Sequence, residues 1–233
     1  MMRCTLISIL ALAPLAIVHA GSISAKVTNG KITYVGEDGR LREIGVGRQC
    51  ADLWVSPDER VLAFIAIDEV KPPTTGEITP FIVGSRIYVA FKRDDFHPVL
   101  IGPGPVSLDG RLWKVFRLPS VSPDLKTVYF MIPAAMTSWK LMSTPLRGGQ
   151  SKSESDAGAY CVVWGGDHSG ELLMLTRVEP IEAVPYVTHR IELLDRTASR
   201  TLIAPDRDAA RFGEVASRWA RQHGGTCPEP EGE

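Results

Sequence analysis

Asp167, His168 and Ser169 stand next to one another and have the three side-chain types of a hydrolase triad. In such a triad the serine attacks, the histidine takes its proton and the aspartate orients the histidine, so the three side chains meet across space from separate parts of a chain. Consecutive positions do not predict that arrangement, and the sequence has no Gly-x-Ser-x-Gly segment. Residues 165–170 are instead typical of a hairpin turn. We therefore keep Asp167 and His168 as candidate binding residues and predict no catalytic residue.

The sequence predicts neither a metal site nor a cofactor. The histidines that follow the first twenty residues do not lie at the short spacings of two metal ligands on one strand or helix. They are His97, His168, His189 and His223. An acidic calcium loop, a glycine-rich phosphate loop and a dinucleotide fingerprint are also missing from the sequence.

The five tryptophans are the remaining candidates for a binding role. Trp54 and Trp164 come just before turn-like segments, where an aromatic side chain of the core is expected. Trp113 and Trp139 lie in less regular surroundings and are candidates for a binding surface, because tryptophan commonly anchors interfaces. Burial in the core is the alternative for both.

A short segment occurs twice, at residues 54–64 and 120–130. Each copy has an apolar strand, the residues Ser-Pro-Asp, one variable residue, a basic residue and a second apolar strand. Proline fixes φ at about −65° for the first central position of a type I turn, and aspartate bonds to the nearby backbone. The sequence therefore predicts two structural turns at Pro57, Asp58, Pro123 and Asp124.

These segments resemble the β-propeller repeats of the TolB family, in which Ser-Pro-Asp-Gly-Lys/Arg precedes a strand of Ile, Ala and Phe. Glu59 and Leu125 stand where those repeats have glycine. The resemblance covers about residues 30 to 204 and implies an all-β fold, a small or incomplete β-propeller of three to four antiparallel blades. It also implies a binding module. It transfers no specific partner, since the separate N-terminal α/β domain of TolB has no counterpart in these residues.

Three complete four-stranded units and a two-stranded N-terminal remnant can be counted along the chain, whereas a closed propeller needs four or more blades. Either a C-terminal helix covers the open edge, or a second copy of the chain completes a larger ring. Residues 206–223 have helical periodicity, with Phe212 and Trp219 on the apolar face and Asp206 as a cap. We expect the helix to cover the edge, because this arrangement needs no partner.

Residues 1–20 predict a cleaved signal peptide, because Arg3 precedes an apolar run and a small-residue cleavage site. The run is shorter than the roughly 20 residues that cross a bilayer. The leader predicts a periplasmic or secreted protein. The other predicted segments are a β-propeller-like domain, a C-terminal amphipathic helix and a flexible tail, at residues 21–204, 205–224 and 225–233.

Three cysteines follow the leader, so an oxidising compartment permits one disulfide and leaves one thiol. Cys161 lies in an apolar strand, where a thiol commonly packs as a small hydrophobic group. Cys50 precedes a strand and Cys227 lies in the Gly/Pro-rich tail. We therefore predict the disulfide Cys50–Cys227.

The formal net charge is −1, and acidic and basic residues are interspersed. Because phosphate binding needs a concentrated positive surface, no nucleic-acid partner is predicted. The chain is predicted to be an exported binding module that recognises another envelope protein or self-associates. The alternative is an envelope hydrolase or enzyme accessory protein with a pocket at the propeller centre. Converging carboxylates or histidines at that centre would favour the enzyme, and an apolar plug would favour the binding module.

Overall fold

The computed structural model describes residues 25–36, 38–71, 81–103, 106–108, 111–135, 138–178, 188–205 and 211–228. Within these ranges the chain forms nineteen strands, one short 3-10 helix and one α-helix. The predicted signal peptide, residues 1–20, lies outside the described residues.

The first half of the chain forms an N-terminal sheet and a first blade. The N-terminal sheet consists of β1 (Lys26–Thr28), β2 (Lys31–Val35) and β3 (Leu41–Ile44). Blade 1 consists of β4 (Cys50–Val55), β5 (Val61–Lys71), β6 (Phe81–Phe91) and β7 (Pro98–Ile101), with a 3-10 helix (Lys92–Asp94) before β7. A two-stranded ribbon follows, β8 (Val106–Leu108) and β9 (Arg111–Trp113).

The second half forms two more antiparallel blades and the helix. Blade 2 consists of β10 (Arg117–Val121), β11 (Thr127–Ala135), β12 (Ser138–Pro145) and β13 (Lys152–Asp156). Blade 3 begins with β14 (Ala159–Val162), which is followed by the short β15 (Trp164–Gly165). The blade is completed by β16 (Leu172–Val178), β17 (Thr188–Leu194) and β18 (Arg200–Ala204). Helix α1 (Phe212–Gln222) precedes β19 (Gly225–Thr226), which pairs with β15.

The sheets pack face to face, so the core is a series of layers. Successive side chains of β11 point to opposite faces of blade 2, so this strand contributes to two layers of the core. Phe130 and Ile132 face blade 1, whereas Met131 faces blade 3. Ile32 and Tyr34 of the N-terminal sheet pack on the other side of blade 1. This layering of four-stranded antiparallel meanders confirms the prediction of a small, incomplete β-propeller. The N-terminal sheet, however, has three strands where the sequence predicted two.

Both ends of the stack of sheets present polar surfaces to solvent. Helix α1 lies on the outer face of blade 3, where Phe212 and Ala216 pack against the apolar side of that blade. The helix therefore covers a sheet face rather than a strand edge. Its predicted cap, Asp206, lies outside the described residues. At the other end, the outward side of the N-terminal sheet carries exposed charged residues, such as Lys31 and Glu43, which form an ion pair.

Residues 56–61 and 122–127 fold into the same turn. The amide of Glu59 donates to the carbonyl of Ser56 at 2.8 Å, and the amide of Leu125 donates to the carbonyl of Ser122 at 2.9 Å. Each serine hydroxyl also donates to the aspartate two residues later, at 2.7 and 2.6 Å. The central positions of the two turns are occupied by Pro57, Asp58, Pro123 and Asp124.

Replacing Leu125 with glycine is expected to raise the free energy of unfolding by about 0.5–1 kcal/mol. Leu125 has φ of +56° and Glu59 has the same φ, a left-handed conformation that costs a side-chain-bearing residue roughly 1–2 kcal/mol. Leu125 is exposed, so little packing is lost. Glycine removes the steric cost but loses more backbone entropy on folding. Urea unfolding measures the change.

Lys126→Gly is the matched control for this substitution. Lys126 is exposed in the same turn and has no positive φ, so glycine there brings only the entropic cost and lowers stability. A Leu125→Gly variant that is destabilised as much as Lys126→Gly would contradict the assignment of strain to position 125.

A polar network that the sequence analysis missed joins the inner strands of the three blades. The Asp52 side chain is fully buried, pairs with Arg117 through both carboxylate oxygens, and accepts the amide of Leu118 at 3.0 Å. The carbonyl of Leu118 in turn accepts the hydroxyl of Tyr160 on β14. The hydrogen bond to Asp52 raises the pKa of Arg117, so the guanidinium stays charged. Asp52 and Leu118 are both left-handed, with φ of 46° and 48°, at bulges in β4 and β10.

The predicted disulfide Cys50–Cys227 is wrong, because Cys227 is bonded to Cys161, with a Cα–Cα distance of 5.6 Å. The pairing of β19 with β15 brings Cys227 beside blade 3. Cys50 lies in a different layer, between the N-terminal sheet and blade 1. It is a buried free thiol, and burial, with the nearby charge of Glu43, raises its pKa to about 11.

The first residues of the predicted flexible tail are held in place. Gly225 and Thr226 form β19, Cys227 is buried in the disulfide, and the carbonyl of Pro228 accepts the indole N–H of Trp54 at 3.3 Å. The C-terminal segment therefore links blade 3 to blade 1. Residues 229–233 lie outside the described part of the chain.

Candidate functional site

The place where the inner strands of the blades meet is filled by apolar side chains. The rings of Trp54 and Trp164 lie 5.7 Å apart, and the indole N–H of Trp164 donates to the carbonyl of Val121 at 3.2 Å. Trp54 belongs to blade 1, Val121 to blade 2 and Trp164 to β15 beside blade 3. With Pro228 against Trp54, this junction is occupied by the protein itself.

An open cleft of about 620 Å³ lies instead between blades 2 and 3, at the end of the blades where the Ser-Pro-Asp turns lie. Four segments form its walls: the 122–127 turn, the first residues of β13, the 166–171 hairpin and the turn between β17 and β18. We call it the turn-face cleft, and its lining residues are Ser122, Pro123, Asp124, Thr127, Tyr129, Lys152, Glu154, Ser169, Gly170, Leu172, Leu194, Asp195, Arg196 and Ala198.

The floor of the cleft combines apolar surface with one phenol. Leu172 and Leu194 are buried members of the core between blades 2 and 3, and Tyr129 packs against the same core. Burial, with the charges of Glu154 and Asp124, raises the pKa of Tyr129 to about 12. The phenol therefore stays protonated, and its hydroxyl makes no hydrogen bond with another described residue. It is available to a bound ligand.

The wall from blade 2 carries two carboxylates. Glu154 accepts the hydroxyl of Ser143 at 2.6 Å and pairs with the ammonium of Lys152 at 2.8 Å. The Glu154 side chain is 14% exposed, whereas that of Lys152 is 74% exposed. Asp124 belongs to the turn, and the hydrogen bond from Ser122 holds its pKa below the usual value.

The wall from blade 3 is a turn that positions Asp195 and Arg196. A single carboxylate oxygen of Asp195 accepts the amides of Thr197 and Ser199, at 2.8 and 2.9 Å. The hydrogen bonds from Thr197 and Ser199, led by the Thr197 hydroxyl, lower the pKa of Asp195. Arg196 donates to the carbonyl of Ser169 and so ties this turn to the neighbouring hairpin. The two walls thus present side chains of both charges around an apolar floor.

The residues Asp167, His168 and Ser169 form a turn, as the sequence indicated, and not a triad. Asp167 is exposed, and His168 points to helix α1, where its ring lies 4.8 Å from that of Trp219 and 5.1 Å from that of His223. The ring of His168 also contacts the carboxylate of Glu171, with 2.8 Å between Nδ1 and Oε2. His168 therefore packs the hairpin onto the helix.

The structure does not bring the four predicted binding residues together. Trp139 is half-buried against the core between blades 2 and 3, and Trp113 lies in β9, where only its place in the strand is described. The residues that line the cleft were missed, apart from the turn residues Pro123 and Asp124. The sequence feature that could have located the cleft is the similarity of the turns, because equivalent turns in neighbouring blades lie on the same side of the fold.

The described ranges contain no group of three or more histidine, cysteine, aspartate or glutamate residues placed to hold a metal ion. In the same ranges, no helix is long and apolar enough to cross a bilayer.

No protein-family model and no curated protein matches the chain. Among solved structures, the tricorn protease is similar over 76% of this chain and 20% of its own, with 13% identity and a TM-score of 0.46. The β-propeller domain of the Trilobed protease from Pyrococcus furiosus is similar over 74% of this chain and 47% of its own, with 12% identity and a TM-score of 0.45. A protein assigned as TolB from Agrobacterium tumefaciens is similar over 78% of this chain and 77% of its own, with 13% identity and a TM-score of 0.34. The chain thus spans less than half of each of the first two proteins.

Proposed function

We propose that the chain is an exported recognition module that binds another protein of the cell envelope through the turn-face cleft. The observation that carries this proposal is the contrast between the inner-strand junction and the turn-face cleft. The inner-strand junction is filled by Trp54 and Trp164, whereas the cleft between blades 2 and 3 is open and has an apolar floor with charged walls. Binding sites commonly combine apolar surface with a few placed polar groups.

Export to the periplasm or the cell exterior is part of the proposal. It is supported by the predicted signal peptide and by the Cys161–Cys227 disulfide, because disulfides form and persist in oxidising compartments. Both cysteines are buried, so the bond acts as a structural tether.

The alternatives from the sequence fit the structure less well. A hydrolase with its pocket at the propeller centre would need space and converging polar groups at the junction that Trp54 and Trp164 occupy. Completion of a ring by a second copy would use the two ends of the stack. Those ends carry charged residues that already pair within the chain, for example Lys31 with Glu43 and Arg218 with Glu214.

Reversing the charges of the cleft is expected to abolish capture of the partner. The double variant Asp124→Lys/Glu154→Lys places two ammonium groups where the walls now carry carboxylates, and this loss of charge complementarity suppresses association. The tagged mature protein is cross-linked in the envelope of its own cells, and the captured proteins are quantified by mass spectrometry. The expected result is one abundant heterologous partner that the double variant loses.

Glu43→Lys/Glu214→Lys is the matched control, because it makes the same two charge reversals on the exposed ends of the stack. It should capture the partner as the unchanged protein does, and both variants should show the circular dichroism spectrum of the folded chain. Equal capture by Asp124→Lys/Glu154→Lys, or capture of further copies of this chain alone, would contradict the proposed function.

A further inference from the structure

The turn-face cleft contains a carboxylate whose charge is incompletely balanced. Glu154 is mostly buried in the cleft wall, and its protein partners are the hydroxyl of Ser143 and the ammonium of Lys152. Lys152 reaches it from solvent, where water screens an ion pair and reduces its strength. A buried carboxylate is stabilised much more by a cation that is itself removed from water and hydrogen-bonded to it.

Glu154 and Tyr129 belong to β13 and β11, the two strands of blade 2 that flank β12. Tyr129 is the register partner of Ser143 on β12, and the hydroxyl of Ser143 donates to Glu154 at 2.6 Å. The Tyr129 oxygen, which makes no hydrogen bond within the described chain, can accept an N–H while the carboxylate of Glu154 accepts another. The floor therefore offers acceptors to a cationic donor.

The apolar part of the cleft floor favours a donor that also has an apolar portion. Leu172 and Leu194 border the cleft beside Tyr129, so the ligand that fits has an aliphatic stem and a charged head. Arginine and lysine side chains have this form, since their methylene groups cover apolar surface while the head stays polar. The guanidinium of arginine also has several N–H donors in a planar fork and can reach two acceptors at once.

We propose that the turn-face cleft holds a basic side chain, in first place an arginine, that projects from an extended segment of the partner protein. This inference rests on the proposed function and specifies what the cleft recognises. The head of the side chain donates to Glu154 and Tyr129, and its stem lies on Leu172 and Leu194. The incoming head takes the place of the Lys152 ammonium, which pairs with Glu154 from the solvent side, and Arg196 is held by the carbonyl of Ser169.

The test uses two peptides that differ by a single charge. The mature protein is labelled with ¹⁵N and titrated with acetyl-Ser-Thr-Arg-Thr-Ser-amide, and separately with the same peptide carrying citrulline, which keeps the shape of arginine but is neutral. We expect the arginine peptide to shift the amides of the 122–127 and 195–198 turns and to bind about tenfold more tightly than the citrulline peptide. Equal binding of the two peptides, or shifts elsewhere in the chain, would overturn the inference.

Variants test whether the preference for arginine depends on the cleft or on the overall charge of the protein. Glu154→Gln should remove most of the preference for arginine over citrulline, whereas Glu43→Gln, an equivalent change on the N-terminal sheet, should keep it. Tyr129→Phe should also weaken binding of the arginine peptide, by a smaller factor than Glu154→Gln does. If Glu154→Gln keeps the full preference, or no peptide binds, the basic-side-chain inference fails. The charge-reversal capture experiment still decides whether the cleft binds a partner, so the two failures can be told apart.

Discussion

Replacing Cys161 and Cys227 with alanine is expected to lower the free energy of unfolding by about 4 kcal/mol. The disulfide closes a loop of 66 residues, and the chain-entropy model predicts that a cross-link of this length removes that much freedom from the unfolded chain. The loss should also loosen helix α1, because the tether lies in the core that joins the helix to blade 3. Denaturant unfolding of the unreduced variant and the unreduced mature protein gives the difference.

The remaining cysteine gives the control. Cys50→Ala removes only a small buried side chain, and it should cost about 1 kcal/mol. Thiol titration of the unfolded, unreduced mature protein should find one reactive group, from Cys50. In the folded protein the same thiol should react slowly, because its pKa is raised to about 11 and it is buried. A Cys50→Ala variant that is as unstable as the double variant would contradict the Cys161–Cys227 connectivity.

Asp52→Ala is expected to lower the free energy of unfolding by about 3 kcal/mol. The substitution leaves the Arg117 guanidinium, which is 24% exposed, without its carboxylate in a mostly dry position. It also removes the acceptor of the Leu118 amide and places alanine at a left-handed φ of 46°. Blades 1 and 2 should separate more easily in the variant. Hydrogen exchange of the amides in β4 and β10 locates the loss, and urea unfolding measures its size.

Glu43→Ala is the corresponding change at an exposed ion pair. Glu43 pairs with Lys31 at 3.0 Å, and both side chains are about half exposed, so the expected cost is below about 1 kcal/mol. If Asp52→Ala lowers the free energy of unfolding no more than Glu43→Ala does, the buried Asp52–Arg117 pair does not hold the inner strands together.

The turns, strands and helix could be predicted because their causes are local, whereas the layered arrangement was implied by the resemblance of the Ser-Pro-Asp segments to β-propeller repeats. Proline and aspartate at Pro57, Asp58, Pro123 and Asp124 specify turns through backbone geometry and short hydrogen bonds, and alternation of apolar residues specifies the strands around them. The helix followed from the spacing of Phe212, Ala216 and Trp219. None of these signals needs knowledge of a distant residue.

The disulfide and the Asp52 network could not be predicted because they depend on distant parts of the chain. Cys227 meets Cys161 through the pairing of β19 with β15, two strands of two residues each that have no sequence pattern. Asp52 is one acidic residue in an apolar run, and its partner Arg117 lies 65 positions away. Only the stacking of blades 1 and 2 brings them together.

The candidate site could not be predicted for the same reason. Tyr129 and Glu154 are ordinary residues of two strands of one blade, and Arg196 belongs to a turn of the next blade. Their chemistry becomes apparent only when three features are seen together: the burial of Glu154, the exposure of Lys152, and a Tyr129 hydroxyl that makes no hydrogen bond within the described ranges. The tryptophans attracted attention in the sequence because of their size, yet Trp54 and Trp164 serve to fill the junction.

The most direct test of the account is a photo-cross-linking scan of the mature protein in the envelope of its own cells. A photoreactive amino acid is placed at Lys152 or Arg196 in the cleft, and at Lys31 or Arg218 on the two ends of the stack. The account predicts that the two cleft positions form an adduct with the same heterologous protein and that the end positions form none. Adducts confined to the end positions, or adducts with a second copy of this chain, would contradict recognition through the turn-face cleft.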